Sequence, residues 1–292
     1  MNIKELENKY SEVDILINTK DRHSECCMLL CSLSYQTYQK FNVFIRDESQ
    51  TSLTVHHPSM SMIQHLKLSG HKVFLSVNNL SSGVCNARNE INRMCLEMKT
   101  SANWVLRCDD DVILDIDYIE KLFEVIDKGY DIATGVIPLL HQPEFSREIR
   151  FVSPVICLHE LNDNGELIKR NDDLGYTYNE SAILPCDQFR TNALMPKKLI
   201  EEQKYSNQLT FTSFREELWW CVEALIKGYV IGVHTHAIAR HLQTPSGGCR
   251  SPAYAENVAL DEETTNKWIK EMFIKHGDVF EKYHKLLKEK GL

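Results

Sequence analysis

The sequence predicts an α/β protein built on a mostly parallel sheet with helices on both faces. Two observations predict it. Short apolar runs alternate with amphipathic helical stretches through the first half of the chain. The polar clusters at 18–22, 46–49 and 109–111 each fall at the carboxyl end of such a run. Alternating strands and helices are joined as parallel strands with crossovers. In such sheets ligands sit beyond the carboxyl ends of the strands.

The elements follow in order. Residues 13–17, Val-Asp-Ile-Leu-Ile, form a short β-branched run, and the polar stretch 18–22 follows. A helix fits 24–36, with Leu29, Leu30 and Leu33 on one face. Residues 42–45 and 73–77 read as the next strands, and Gly83 precedes a helix carrying Ala87, Ile91, Met94 and Leu96. A fourth strand, 104–108, runs straight into Asp109-Asp110-Asp111. The second half is less regular. Residues 131–137 read as a strand, and 141–180 as loops and short strands with an Asn164-Gly165 turn. A helix over 214–227 stops at Gly228, and a strand over 229–233 follows. Segment 243–254, rich in Gly, Pro and Ser, reads as a mobile loop. The tail from 261 to 290 reads as charged helix with an apolar side of Trp268, Met272, Phe273, Phe280 and Tyr283. The expected organisation is one catalytic domain over 1–245, then a loop and helical extension over 246–292.

Composition narrows the class. Hydrophobic residues make up 43% and charged residues 25% of 292, a globular balance. No apolar run approaches the roughly 20 residues of a membrane-spanning helix, and the charged start lacks a signal-peptide core, so the expectation is a cytoplasmic protein. The ten cysteines include no C-x-x-C pair, so free core thiols are expected rather than disulfides or structural zinc. A net charge of −8 argues against a broad nucleic-acid surface. The chain lacks a G-x-x-x-x-G-K-[ST] loop, a G-x-S-x-G elbow and a G-x-G-x-x-G turn after the first strand.

Asp109-Asp110-Asp111 is the sharpest local feature. Three adjacent carboxylates repel one another, so folding requires full solvation or a compensating cation. A solvated acidic turn would explain an isolated triplet, but this one directly follows a buried-looking strand. A hard divalent cation that also binds diphosphates fits it. Alternate residues of an extended chain point the same way, so Asp109 and Asp111 can face one site while Asp110 points elsewhere. Arg88-Asn89 is either solvated or set near that site. Glu216-Glu217 at a helix start suits the helix dipole, or supplies a general base. Among His234, His236 and His241, any one reads as structural, yet an imidazole among them could complete a manganese site.

Together these pieces resemble the family-two glycosyltransferases with the GT-A fold, over roughly residues 12–245. Asn18-Thr19-Lys20-Asp21-Arg22 looks like the family's Thr-x-Asn/Asp-Arg turn, Gln36-Thr37-Tyr38 its Gln-Thr-Tyr, and Ala87-Arg88-Asn89 its Ala-Arg-Asn. Arg46-Asp47-Glu48-Ser49 stands at its Asp-Asp-Gly-Ser-like turn, and Asp109-Asp110-Asp111 at the D-x-D position. An acidic pair twelve residues before a Gly-Tyr, and a His thirteen beyond that Gly, fall on Glu216-Glu217, Gly228-Tyr229 and His241.

The resemblance implies transfer of a sugar from a nucleoside-diphosphate donor, foremost a UDP-sugar, with Mn2+ or Mg2+ and inversion at the anomeric carbon. Thr19, Asp21 and Asp47 would hold the base and ribose, with Arg22 and Arg88 beside the nucleotide. Asp109 would approach the ribose or metal, and Asp110 counts with the nucleotide-sugar side. Asp111 and His241 would be metal ligands and Glu217 the base. Asp187, Arg190 and Glu216 are secondary candidates for donor-sugar or acceptor contacts, and loop 243–254 would close over the diphosphate. Glu217 departs from the commoner Asp, Asn18 from Pro and Glu48 from Asp. The acceptor stays open among glycan, protein, lipid-linked sugar and modified nucleic acid, as does dimerisation through the C-terminal helices. A nucleotidyltransferase and a non-catalytic sugar- or nucleotide-binding module are the alternatives.

Overall fold

The computed structural model describes residues 9–140, 150–152, 155–171, 176–178, 180–250 and 252–290. The strands are β1 (Val13–Thr19), β2 (Phe41–Asp47), β3 (Val73–Val77), β4 (Trp104–Asp109), β5 (Val112–Leu114), β6 (Ile132–Val136), β7 (Arg150–Val152), β8 (His159–Leu161), β9 (Leu167–Lys169), β10 (Tyr176–Tyr178), β11 (Ile183–Cys186), β12 (Ala193–Pro196) and β13 (Ile231–His241). The helices are α1 (His23–Ser34), α2 (His57–Leu68), α3 (Val84–Glu97), α4 (Tyr118–Asp127), α5 (Lys197–Glu202), α6 (Glu216–Ile226) and α7 (Tyr254–Glu289).

One sheet organises the molecule, in the order β11-β13-β6-β12-β4-β1-β2-β3, with β5 joined to β13. Strands β4, β1, β2 and β3 run parallel, whereas β12 is antiparallel to both neighbours, β4 and β6. The sheet is therefore mixed and mostly parallel, as expected. Its inner strands are covered on both faces, so they are nearly continuous apolar runs. In β1 the period of two sorts side chains between two cores. Val13, Ile15 and Ile17 face the core with Leu29, Leu33 and Phe123, while Leu16 faces the core with Ile91, Trp220 and Phe280.

Three elements differ from the sequence reading. The short, half-exposed α2 and the four-residue antiparallel β12 give little periodicity, whereas α4 is strongly amphipathic, burying Ile119, Leu122, Phe123 and Val125, and is readable from its pattern. The last strand continues from Ile231 to His241, so all three histidines lie on it. The final helix begins at Tyr254 and bends at His276, where φ is −134°. The Asn164-Gly165 turn does join a hairpin: β8 pairs β9, Gly165 takes φ +70°, and its N–H donates to Asn162 O at 2.8 Å.

The C-terminal helix shares the main core. Ile269, Phe273, Phe280, Tyr283 and Leu287 are buried with α6 residues. Trp219 of α6 stacks on Trp268 at 3.9 Å, and its Nε1 donates to Thr265 Oγ1 at 2.8 Å. Among the described residues no helix is long and apolar enough to cross a membrane. Phe280 is 1% exposed and stacked on Phe273. Phe280→Ala is therefore expected to lower unfolding free energy by about 3–5 kcal/mol, measured by urea denaturation with fluorescence and circular dichroism.

Candidate active site

A cavity of about 570 Å3 opens where β1 and β4 end and where α3 and α6 begin. Its wall includes Thr19, Arg22, Arg88, Asp109, Asp110, Arg190, Glu216, Glu217 and His241, nine of the expected residues. Asp21, Asp47, Asp111 and Asp187 are not in that wall.

The acidic triplet is not extended. Asp109 ends β4, and Asp110 and Asp111 form a turn into β5. The expectation that Asp110 points away from Asp111 fails for that reason, since alternation holds only along an extended chain. Both converge on Arg22: Nη1 lies 3.1 Å from Asp110 Oδ1 and 2.9 Å from Asp111 Oδ2. Strand β5 pairs with the end of β13, placing Val112 opposite His241, and Leu242 N–H donates to Asp111 O at 2.8 Å. That pairing brings His241 Nε2 to 3.2 Å from Asp111 Oδ2. Asp111 Oδ2 is buried, and neither close approach is aligned as a hydrogen bond; Asp110 Oδ2 is also buried without an aligned partner. Burial lifts Asp110 to about 7 against the pull of Arg22, with Asp111 adding repulsion. Burial opposes ionisation of Asp111 too, but the neighbouring His241 and Arg22 overcome it and hold it below the usual carboxylate range.

Segment 244–250 lies over Arg22. Arg22 Nε donates to Ser246 O at 3.1 Å, Gly248 N–H to Lys20 O at 2.8 Å, and Thr244 Oγ1 to Glu25 Oε1 at 3.0 Å. Gly247 has φ +74°, and a Cβ there would meet Arg22 Cγ at 2.7 Å and Asp21 O at 2.8 Å, so only glycine fits this approach.

On the other wall, Arg88 and Arg107 hold the acidic pair of α6. Glu216 Oε1 accepts from Arg88 Nε at 3.0 Å and from Arg107 Nη2 at 2.9 Å. The same Arg107 nitrogen reaches Glu217 Oε1 at 3.0 Å, and Arg88 Nη2 reaches Asp109 Oδ1 at 2.9 Å. Burial disfavours the Glu216 charge, but Arg88, the bond with Glu217 and Arg107 outweigh it and bring the group to about 2. Burial and then the Glu216 charge push Glu217 well above the usual range, against the partial pull of Arg107. The backbone entering α6 is unusual, with φ +52° at Ser213 and +73° at Arg215. Asp261 of α7 holds it, accepting from Thr210 N at 2.6 Å, Thr210 Oγ1 at 2.8 Å and Phe214 N at 2.7 Å.

Three of the expected residues accept from backbone N–H groups. Asp47 is fully buried and accepts from Ser49 N at 3.0 Å and Leu53 N at 2.5 Å, so it shapes the turn after β2. Asp187 is fully buried and accepts from Val155 N at 2.8 Å and Cys157 N at 2.7 Å, which removes it from the sugar-facing wall. Asp21 Oδ1 accepts from Gln50 N at 2.9 Å. His234 also turns elsewhere, with Nε2 3.2 Å from Glu124 Oε2. Two residues given no role in the sequence reading belong to the site. Arg107 is one, signalled only as an Arg inside an apolar strand. Glu48 is the other: it lines the cavity, pairs with Arg46 at 2.9 Å and accepts from Ser82 N at 2.8 Å and Ser82 Oγ at 2.6 Å.

An open-sheet cavity with an acidic turn at one wall and a carboxylate pair at a helix tip suits transfer between a phosphorylated donor and a hydroxyl. The family model described as Glycosyl transferase family 2 matches residues 15–183, more than half of the chain. The chain therefore belongs to glycosyl transferase family 2 and is a glycosyltransferase. Its fold is that of the GT-A glycosyltransferases. The crystal structure of GalNAc-T7 with UDP, GalNAc and Mn2+ is similar over 89% of this chain, with a TM-score of 0.58 and 11% identity. That of S. aureus TarS is similar over 80%, with a TM-score of 0.53 and 14% identity. The chain spans 50% of the first protein's length and 37% of the second's. No curated protein sequence matches the chain. Family membership sets glycosyl transfer above the nucleotidyltransferase and binding-module alternatives.

The cluster's charge makes a stability prediction. Glu216→Gln leaves Arg88 and Arg107 with one buried carboxylate fewer, at a cost of about 3–5 kcal/mol at neutral pH. The folded-state pKa of Glu216 lies below its ordinary value. Its contribution is thus complete above the ordinary value of 4.5 and lost as pH falls through about 2. The gap between the urea midpoints of wild type and variant is expected to hold from neutral pH to about 4.5 and to narrow as pH falls from there towards about 2.

Proposed function

We propose that this glycosyltransferase moves a sugar from a UDP-sugar to an acceptor hydroxyl with inversion, using a divalent cation. The observation that carries the reading is one cavity whose wall includes Glu217 together with Asp109, Asp110 and His241. On this reading Thr19, Lys20, Arg22 and Arg88 bind the nucleotide end of the donor. Segment 244–250 covers that end and excludes water from it.

The residues present fit a cation. Asp111 Oδ2 is buried without an aligned partner, 3.2 Å from an imidazole nitrogen. A carboxylate and an imidazole suit manganese or magnesium, manganese better. Among the described residues no three His, Cys, Asp or Glu side chains are already gathered into a metal cage. The protein ligands on this reading are Asp111 and His241, which leaves coordination positions for donor oxygens. When bound, such a cation neutralises charge on the departing diphosphate.

Glu217 accepts the proton of the acceptor hydroxyl. The oxygen forms its bond to the anomeric carbon on the face opposite the diphosphate, and the electron pair of the broken bond leaves with the nucleoside diphosphate. A buried carboxyl held above its usual range is a stronger base than an exposed one.

Two measurements test the reading. Release of nucleoside diphosphate is screened across UDP-, GDP- and dTDP-sugars, with and without manganese and with candidate acceptors. Glu217→Gln is expected to lower turnover about 100-fold or more while keeping donor affinity; wild-type turnover in that variant removes Glu217 from the mechanism. In calorimetry with manganese and UDP, Asp111→Asn and His241→Ala are each expected to weaken manganese-dependent UDP binding about tenfold or more. Undiminished affinity in both variants counts against the assigned ligands.

A further inference from the structure

We propose that Arg107 is a positioning residue for the transfer reaction, fixing the Glu217 carboxyl at the cavity wall and keeping it a carboxylate that can take the acceptor's proton. The inference rests on the reading of Glu217 as base and names the group on which that role depends.

Arg107 does not line the main cavity, so it acts through its neighbours rather than on substrate. Its guanidinium is buried between two rings, 5.5 Å from the centroid of Phe189 and 5.6 Å from that of Tyr205. Nη1 donates to Tyr205 Oη at 3.3 Å. These contacts fix the plane of the fork, and Nη2 is left against Glu216 at 2.9 Å and Glu217 at 3.0 Å. Among the described residues Glu217 has no ion pair besides that with Arg107. Arg88 pairs elsewhere, with Nε on Glu216 and Nη2 on Asp109.

The charges around Glu217 are Glu216 on its own helix, Arg107 and Asp109 on β4, and Arg88 on α3, with the neutral Tyr205 phenol between the arginines. With Glu217 ionised, two cations face three carboxylates. Without Arg107 one cation faces three, in a buried setting where an unpaired carboxylate takes up a proton instead. A protonated Glu217 cannot accept the acceptor's proton. Burial and Glu216 already push Glu217 upward, so Arg107 is the counterweight nearest to it.

The test compares Arg107→Met, Arg107→Lys and Glu217→Gln. The carboxyl C=O infrared band that disappears in Glu217→Gln is followed across pH in the protein without substrate, in each Arg107 background. Release of UDP from a UDP-sugar gives kcat, donor KM and the acid limb of the pH profile. Arg107→Met is expected to move the band's midpoint and the acid limb up by about one pH unit or more. Below that midpoint kcat falls about tenfold per unit, with donor KM within about twofold. Arg107→Lys keeps the charge but loses the fork and is expected to move both by less. An unmoved band and limb in both variants, or kcat and KM worsening together with the limb unmoved, overturns the proposal. If Arg107→Met does not fold, Arg107→Lys with native circular dichroism decides it: a band shifted upward supports the proposal and an unmoved band overturns it. Wild-type UDP release by Glu217→Gln sinks the base assignment itself. An inactive Glu217→Gln beside unmoved Arg107 bands sinks only the role of Arg107.

Discussion

The site depends on a buried charge cluster in which two arginines and three carboxylates meet from three elements. β4 brings Arg107 and Asp109, two residues apart and hence on one face of the strand. α3 brings Arg88, and α6 brings Glu216 and Glu217. A buried ion network of this kind is weak evidence for stability, because apolar residues of equal volume hold elements together as well or better. Its effect is on geometry. Removing either arginine leaves carboxylates without compensation in a desolvated interior, so strand and helices have little freedom to shift relative to one another. The position of the acidic pair at the cavity wall follows from that constraint.

The rest of the fold supports the same point. α6 can present its first turn to the cavity only if the preceding chain makes a sharp entry, with positive φ at Ser213 and Arg215. Such backbone costs about 1–3 kcal/mol per residue and persists only where its surroundings determine it. Asp261 supplies three hydrogen bonds to that entry from α7, and the Trp219–Trp268 stack ties the two helices one turn further on. The C-terminal helix is thus part of the core that sets the acidic pair, rather than an appendage to a domain ending near residue 245.

What the sequence revealed and what it hid have physical reasons. Strands buried on both faces must be apolar, so β1, β2 and β4 stood out, and the acidic triplet after β4 could be placed at a strand end. The turn at Asp110 and Asp111 could not be read, because the alternation argument assumes a chain that stays extended. Asp47 and Asp187 misled for another reason. A loop carboxylate looks the same in sequence whether it accepts from backbone N–H groups or faces a ligand. Arg107 went unnoticed because its partners on α6 lie more than a hundred residues away. His241 was found through a spacing, but its approach to Asp111 comes from the β5–β13 pairing, and three-residue β5 has no signature of its own.

The two walls of the cavity treat charge differently, and this bears on how a donor would bind. On the α6 wall, carboxylates and arginines compensate one another inside the protein. On the other wall Asp110 and Asp111 share one guanidinium, that of Arg22, and each keeps an oxygen without an aligned partner. A divalent cation at Asp111 would lie close to the Arg22 guanidinium and be repelled by it. An anion beside both removes that repulsion, and a diphosphate is such an anion. On the proposed reading, cation and donor then stabilise each other's binding, each weak alone on this wall. Segment 244–250 rests on Arg22 through Ser246 and Gly247, so the charge that couples cation to donor is also the support of the segment over them.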